Sequence, residues 1–168
     1  MKNLKKIHIC GTNGSGKTTL GKLISQKLKL PFYPLEDVKY ITKFTKKRSE
    51  KEMRKRVKEI SLKKEWVTEE CWADRAEELF KKADLIILLR ISKKICQFRV
   101  LKRFFTRKKQ ENDTLKQAIR ICRKVGRYEK DKHPVSLHAQ EKLIKKYNKK
   151  VIIIKKQKDI NNLLEELK

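Results

Sequence analysis

The sequence predicts an α/β protein built on a parallel sheet. Two apolar runs, 85–89 and 151–154, have the length of strands and are apolar at every position, which is typical of strands covered by helices on both faces. A short β-prone run, 7–10, precedes a glycine-rich segment, and apolar residues at helical spacing follow that segment. Because predicted strands alternate with predicted helices, we expect a parallel sheet with right-handed crossovers.

The glycine-rich segment, residues 11–18, fits the phosphate-binding pattern G-x-x-x-x-G-K-[ST] at every fixed position. Glycine lacks a Cβ atom, so the main chain of such a loop can turn its N–H groups toward an anion at the start of a helix. The pattern places Lys17 at the β- and γ-phosphates of a nucleotide and the Thr18 hydroxyl on Mg²⁺. The alternative is a glycine-rich turn without a ligand. The predicted nucleotide-binding residues are Gly11, Asn13, Gly14, Ser15, Gly16, Lys17, Thr18 and Thr19.

Length and composition predict one domain, 1–168. A chain of 168 residues buries roughly two thirds of its unfolded surface around a single core. The four cysteines lie far apart and the sequence shows no signal peptide, so we expect reduced thiols in a cytoplasmic protein. The longest apolar runs are far shorter than the roughly 20 residues that cross a bilayer, so no membrane partner is expected.

The chain is strongly basic. It contains 47 Lys and Arg residues against 20 Asp and Glu residues, a formal net charge of +27. One interpretation is a nucleic-acid partner. The lysines are spread along the whole chain, however, and a general lysine-rich composition explains the same count. Either way, we expect salt-sensitive, non-specific binding to polyanions.

Acidic residues follow two of the predicted strands. Glu36 and Asp37 come after 31–35, and Glu69 ends 65–69. Open α/β sheets bind ligands at the carboxyl ends of their strands. Asp37 is therefore predicted to orient a phosphoryl acceptor, and Glu69 to order the water shell of Mg²⁺. The alternatives are a helix cap at Glu36 or Asp37 and a solvated acid at Glu69.

The segments around these strands are predicted to be helical or to pack in the core. Residues 46–64 form a charged surface helix and residues 75–83 a short one, and a closing helix contains 160–167. Trp66 and Trp72 are interpreted as packing residues, with a base-stacking platform as the alternative. The thin buried edge of the first helix is predicted to be Met53, Val57 and Ile60, with Leu62 as a further candidate.

Residues 93–132 are predicted to form a lid of two antiparallel helices with arginine-rich faces. The guanidinium group matches phosphate oxygens bidentately, so such a lid would exclude water and offset charge in the transition state. Arg99 and Arg103 are the main candidates, and the alternative is that both faces are simply solvated. The recurring arginines are Arg99, Arg103 and Arg107 on the first helix and Arg120, Arg123 and Arg127 on the second. The predicted apolar stripes are Ile95, Phe98, Leu101 and Phe105, then Leu115, Ala118, Ile119, Cys122 and Val125.

The order of these pieces resembles the small P-loop kinases of the adenylate kinase-like superfamily. It is most similar to the group called DNA topology modulation proteins (FlaR-like), over nearly the whole chain. The stretches that carry the resemblance are 7–19, 30–37, 65–69, 82–89 and 99–103. The resemblance implies a three-layer P-loop nucleoside triphosphate hydrolase fold with a five-stranded parallel sheet in the order 2-3-1-4-5 and a helical lid. It also implies ATP with Mg²⁺, an acceptor near Asp37 and lid arginines at 99 and 103.

The chain departs from this family pattern at two positions, and the departures leave the acceptor open. Glu70 stands where glycine is expected after the acid of the third strand, and Arg90 stands where an acid is expected after the fourth. The first hypothesis is transfer of the γ-phosphoryl group of ATP to a small acceptor, with a nucleotide among the candidates. The alternatives are a nucleic-acid-associated ATPase or polynucleotide 5′-hydroxyl kinase, and a nucleotide-binding regulator with weak ATPase activity. The predicted catalytic residues are Lys17, Asp37, Arg99 and Arg103.

Overall fold

The computed structural model describes residues 4–42, 46–106, 114–130 and 132–167. Strands and helices alternate along most of the chain. The elements are β1 (Lys6–Gly11), α1 (Lys17–Leu28), β2 (Phe32–Pro34), α2 (Leu35–Lys39), β3 (Tyr40–Thr42), β4 (Lys46–Lys47), α3 (Glu50–Leu62), β5 (Trp66–Glu70), α4 (Glu77–Lys82), β6 (Leu85–Leu89), α5 (Lys93–Thr106), α6 (Leu115–Arg127), α7 (Leu137–Lys146), β7 (Val151–Ile154) and α8 (Gln157–Glu166).

Five strands form one parallel sheet in the order β2-β5-β1-β6-β7. Numbered along the chain without the separate β3–β4 hairpin, this order is 2-3-1-4-5, which confirms the prediction. Ile9 of β1 lies opposite Glu69 of β5, and Gly11 lies opposite Leu89 of β6. The register therefore brings the glycine-rich loop and the acidic end of β5 to the same edge of the sheet.

Helices cover both faces of the sheet. On one face Ile87 of β6 joins a buried cluster with Ile24 of α1 and Leu163 of α8. On the other face its neighbour Ile86 joins a cluster that includes Val57 of α3 and Phe80 of α4. Every residue of β6 is buried, as expected for a strand between two helical layers.

The predicted helix over 46–64 begins later than expected. The Ser49 hydroxyl accepts a hydrogen bond from the Glu52 N–H at 3.3 Å, and the Ser49 N–H donates to the Glu52 carboxylate at 3.0 Å. This capping box starts α3 at Glu50, and Lys46 and Lys47 pair with β3 instead. The predicted edge Met53, Val57 and Ile60 is buried, and Leu62 is 63% exposed.

The predicted apolar stripe of the first lid helix is wrong at three of its four residues, and the fourth, Leu101, is half-buried. Ile95, Phe98 and Phe105 are 46%, 65% and 74% exposed, whereas Cys96 and Val100 are buried. The reason is the neighbour of α5: a Cβ atom built on Gly14 would collide with the Cys96 carbonyl, so this side of the helix lies directly on the glycine-rich loop. Small and branched side chains fit such a close approach, and phenylalanine does not.

The second lid helix follows its predicted stripe in part. Ala118 and Val125 are buried, whereas Leu115 and Ile119 are 50% and 41% exposed. The amide of Gln97 on α5 donates to the Cys122 carbonyl of α6 at 3.0 Å, so the two helices pack against each other.

The two tryptophans differ in burial, and Trp66 is the first residue of β5. Trp66 is fully buried in the core, and Trp72, after β5, is half-buried.

All four cysteines are free thiols. None of the helices within the described ranges is long and apolar enough to cross a membrane.

Candidate functional site

The glycine-rich loop connects β1 to the N-terminus of α1. Gly14 and Gly16 adopt φ values of +76° and +99°, in the region that favours glycine. Gly16 is the N-cap of α1, and no side chain caps the helix there. The first N–H groups of α1 therefore remain available to an anion, as the phosphate-binding pattern predicts.

Lys17 is held against this loop. Its ammonium group donates a hydrogen bond to the Thr12 carbonyl at 2.8 Å, and the residue is only 9% exposed. The Ser15 hydroxyl donates to the same carbonyl at 2.8 Å. The Lys17 ammonium group thus lies inside the loop. From there it can exchange its hydrogen bond to the carbonyl oxygen for one to a phosphate oxygen by a short movement.

Thr18 and Glu69, the two predicted magnesium residues, are brought together. The Thr18 hydroxyl donates to the Glu69 carboxylate at 2.8 Å across the sheet edge. Glu69 is 6% exposed and Thr18 is exposed. A hydroxyl and a carboxylate are the hard oxygen donors that Mg²⁺ and its water shell prefer, so these residues fit the metal.

The predicted lid arginines lie in different surroundings. The Arg99 guanidinium donates to the Ser15 carbonyl at 3.4 Å and lies over Gly16, directly at the loop. Arg103, one turn further along α5, lines a small cavity between α5 and α6. Arg107 lies outside the described residues. In this conformation only Arg99 of the two main candidates contacts the loop.

Asp37 lines a cavity beside α2. It is exposed on α2 and lines a cavity of about 440 Å³ between β2, α2 and α3. Tyr33, Arg56 and Lys63 line the same cavity, and none of residues 11–18 does. Lys17, Thr18, Glu69 and Arg99 are joined to the loop by hydrogen bonds, whereas Asp37 is placed by the cavity that it lines.

Glu70 and Arg90, the two departures from the family pattern, each contact identified residues. Glu70 is 8% exposed, and its Oε1 accepts hydrogen bonds from the Cys71 N–H at 2.6 Å and the Cys71 thiol at 2.9 Å. Burial raises the pKa of Glu70 even though those hydrogen bonds and the Lys17 charge favour the carboxylate. Arg90 lies 3.8 Å from the Glu141 carboxylate on α7.

Sequence reasoning missed a cluster of cations beside β5. The Trp72 ring has the Lys39 ammonium 4.7 Å and the Arg75 guanidinium 5.0 Å from its centroid. The Arg48 guanidinium donates to the Val38 and Tyr40 carbonyls and so fixes the end of α2 to the hairpin. Spacing along the chain gave no signal for this cluster, because its members come from separate elements.

The overall fold is similar to that of solved structures over almost the whole chain. Shikimate kinase from Bacteroides thetaiotaomicron has a TM-score of 0.61 at 18% identity, covering 98% of this chain and 97% of its own. The chain has the P-loop nucleoside triphosphate hydrolase fold. A protein from Chloroflexus aurantiacus has a TM-score of 0.59 at 15% identity, covering 97% of both chains. An uncharacterized protein from Eubacterium ventriosum has a TM-score of 0.51 at 16% identity, covering 98% of this chain and 96% of its own.

A sequence relative is known from Bacillus subtilis. The chain is 33% identical to the uncharacterized protein YqaC over 107 residues, which is 61% of this chain. The match covers 58% of the Bacillus protein, so the chain aligns with just over half of that relative's length. No family model matches the chain. The resemblance to DNA topology modulation proteins therefore stays a prediction.

Proposed function

We propose that the protein is an ATP-dependent phosphotransferase that moves the γ-phosphoryl group of MgATP to a small acceptor. The observation that carries the proposal is one cluster at the sheet edge. Lys17, the uncapped start of α1 and the Thr18–Glu69 pair lie together, and Arg99 lies above them. Phosphoryl transfer needs positioning and charge neutralisation, and these groups supply both. The fold that the chain shares with a shikimate kinase supports a small acceptor.

In this proposal the loop residues act on the nucleotide. The Lys17 ammonium exchanges the Thr12 carbonyl for the β- and γ-phosphate oxygens, and the N–H groups of 14–18 bind the remaining phosphate charge. Thr18 and Glu69 hold the magnesium ion and its waters. A magnesium ion held there would supply positive charge that offsets the negative charge of the phosphates.

The lid and α2 complete the proposed site. Arg99 and Arg103 stabilise the transferring phosphoryl group, with Arg99 already at the loop. Asp37 orients the acceptor, for which the cavity of about 440 Å³ that it lines offers room. We also propose that residues 1–168 act as one domain with its lid at about 93–132.

Label transfer tests the proposal. ATP labelled at its γ-phosphoryl group is incubated with nucleosides, nucleotides, small alcohols, hydroxy acids and 5′-hydroxyl oligonucleotides, and the labelled product is identified. Lys17→Ala is expected to abolish transfer because the phosphates lose their buried cation, while circular dichroism and the melting temperature show that the fold persists. Lys22→Ala, an exposed lysine of the same helix, is the matched control and keeps activity. Wild-type turnover in Lys17→Ala rejects the proposed site.

A second candidate function rests on the charge. A net charge of +27 supports a nucleic-acid-associated ATPase or a polynucleotide 5′-hydroxyl kinase. In that case the oligonucleotides acquire the label, or they stimulate ATP hydrolysis. Slow hydrolysis that no acceptor changes favours the third candidate, a nucleotide-binding regulator, for which the buried Glu70 is the supporting observation.

A further inference from the structure

One side of α5 is apolar and exposed. Ile95, Phe98 and Phe105 all present large apolar side chains to solvent. Phe105 follows Phe98 by seven residues, which is about two turns of helix, so both rings lie on the same side of α5. Single exposed apolar residues are common on protein surfaces, whereas several on one face indicate a surface that binds a partner.

This apolar side faces away from the glycine-rich loop. A Cβ atom on Gly14 would meet the Cys96 carbonyl and the Val100 side chain, so those two residues mark the side of α5 that lies on the loop. Phe98 is two residues from each of them, about half a turn around the helix. Phe104, on a third side, lines the small cavity between α5 and α6. The side with Phe98 is therefore the one that neither the loop nor α6 covers.

The charges on the same side are all positive. Lys94 precedes Phe98 by four residues and Lys102 follows it by four, so an exposed lysine lies on this face one turn to each side of the ring. The helix contains no Asp or Glu residue, and none of the ion pairs between described residues involves it. The positive charge of the face is thus uncompensated. The outer face of α5 is defined here as Ile95, Phe98 and Phe105 with Lys94 and Lys102.

This combination selects the chemistry of a partner. A second copy of the chain would place like charges opposite each other in a protein that already carries a net charge of +27, so repulsion opposes self-association through this face. A nucleic acid offers phosphates to the lysines, but Ile95 has no π-face on which a base could stack. An anionic lipid bilayer offers phosphates to the lysines and acyl chains to the apolar side chains.

The shape of the outer face also fits a bilayer. The helix has 14 residues, a length of about 21 Å, and its outer face is a convex ridge. A lipid surface yields to such a ridge and needs no preformed groove. A helix that lies in the interface does not require the long apolar run of a membrane-spanning helix, and its lysine stems extend along the apolar layer while the ammonium groups stay among the headgroups.

We propose that the outer face of α5 docks on an anionic lipid bilayer. Phe98 and Phe105 enter the boundary between headgroups and acyl chains, and Lys94 and Lys102 contact the lipid phosphates. The inference goes beyond the proposed phosphotransferase function and does not depend on it, because the docking face and the face that contacts the loop are different sides of α5.

Vesicle sedimentation tests the apolar part of the face. The full chain is mixed with vesicles of equal parts phosphatidylglycerol and phosphatidylcholine, or of phosphatidylcholine alone, at about 150 mM salt to screen weak attraction. We expect binding to the anionic vesicles only. Phe98→Ser combined with Phe105→Ser should weaken that binding by about tenfold or more and leave the melting temperature unchanged, because both rings are exposed. Leu62→Ser, at 63% exposure on α3, is the matched control and should bind as wild type does.

The charged part of the face has its own control. Lys94→Gln combined with Lys102→Gln should weaken vesicle binding by about tenfold or more, because each lysine near an anionic surface contributes to binding. Lys155→Gln combined with Lys158→Gln removes the same charge from exposed positions at the start of α8 and should have a much smaller effect.

Three results would overturn the inference. The first is no binding to anionic vesicles, and the second is equal losses in the α5 variants and their controls, which would assign the binding to net charge alone. The third is a phenylalanine variant that keeps vesicle binding but loses affinity for a single-stranded oligonucleotide or for polyglutamate, since the outer face would then bind a nucleic acid or an acidic protein.

Discussion

At the scale of single residues, a histidine lies inside the central strand. His8 is fully buried in β1, its Nδ1 lies 2.9 Å from the Thr68 hydroxyl, and its Nε2 has no hydrogen-bond partner among the described residues. Burial, with a smaller effect of the Lys17 charge, lowers the pKa of His8 to about 3. The imidazole is therefore neutral in the folded protein near neutral pH, and it packs edge-on against Phe80.

This depressed pKa predicts a loss of stability in mild acid. Between pH 6.5 and about 3 the unfolded chain binds a proton at His8 and the folded chain does not. The free energy of unfolding therefore falls as the pH falls, by up to about 1.4 kcal/mol per pH unit. Urea unfolding of wild type and His8→Asn, from about pH 6.5 down to about pH 4.5, measures this dependence of the free energy of unfolding on pH. Asparagine does not titrate, so wild type loses free energy of unfolding relative to His8→Asn as the pH falls. Parallel pH profiles of the two proteins would contradict the lowered pKa of His8.

The Thr18–Glu69 contact predicts a dependence on magnesium. Thr18→Val keeps the shape of the side chain and removes the hydroxyl that donates to Glu69 at 2.8 Å. We expect the Mg²⁺ concentration for half-maximal ATP turnover to rise by about tenfold or more. Glu69→Gln should act in the same direction, and the double variant should fall short of the sum, because the two side chains form one unit. Thr106→Val, at the far end of α5, should leave the requirement unchanged.

At the scale of elements, the contact between the loop and the first lid helix decides the geometry of the site. Gly14→Ala places a methyl group against the Cys96 carbonyl and forces alanine into φ +76°. We expect a loss of about 1–2 kcal/mol in stability from the backbone conformation alone, together with weaker ATP binding because α5 and Arg99 move off the loop. Calorimetric unfolding and titration with the nucleotide measure both effects.

Gly126→Ala is the matched control for that prediction. On α6 a Cβ at Gly126 meets only the Gln97 amide at 3.4 Å, an ordinary contact. Alanine in a helix is favoured over glycine by up to about 1 kcal/mol, so this variant should be as stable as wild type or more so. If both variants behaved alike, the close approach of α5 to the loop would not matter for nucleotide binding.

The same elements explain what sequence reasoning can recover. The strands over 7–10, 85–89 and 151–154 were predicted to within about a residue, because each is a short run dominated by β-branched and other apolar residues. The β3–β4 hairpin, which is short and polar, and helix α7 gave no such signal. The wrong face of α5 was predicted because its largest apolar residues were assumed to be buried. What decides that face is a tertiary contact with Gly14, which no local periodicity encodes.

At the scale of the whole molecule, topology unites residues that are distant along the chain. The sheet order was predicted from the family resemblance, and the pairing of β1 with β5 brings Thr18, at the start of α1, to Glu69 although they are 51 residues apart. Asp37 shows the limit of this reasoning. The end of a strand predicts the edge on which a residue lies, and the local course of α2 decides which cavity its side chain lines.

The net charge of +27 is also a property of the whole molecule, and it predicts two separable behaviours. A labelled single-stranded oligonucleotide should bind, and its affinity should fall steeply between about 50 and 200 mM salt, because lysines release counterions from any polyanion. ATP turnover should be unchanged by the oligonucleotide at the higher salt, because transfer depends on groups enclosed by the loop and lid. Fluorescence anisotropy and label transfer in the same buffers compare the two. Turnover that rises with the oligonucleotide at high salt would make nucleic acid the functional partner, since non-specific attraction is then screened and only a built interface persists.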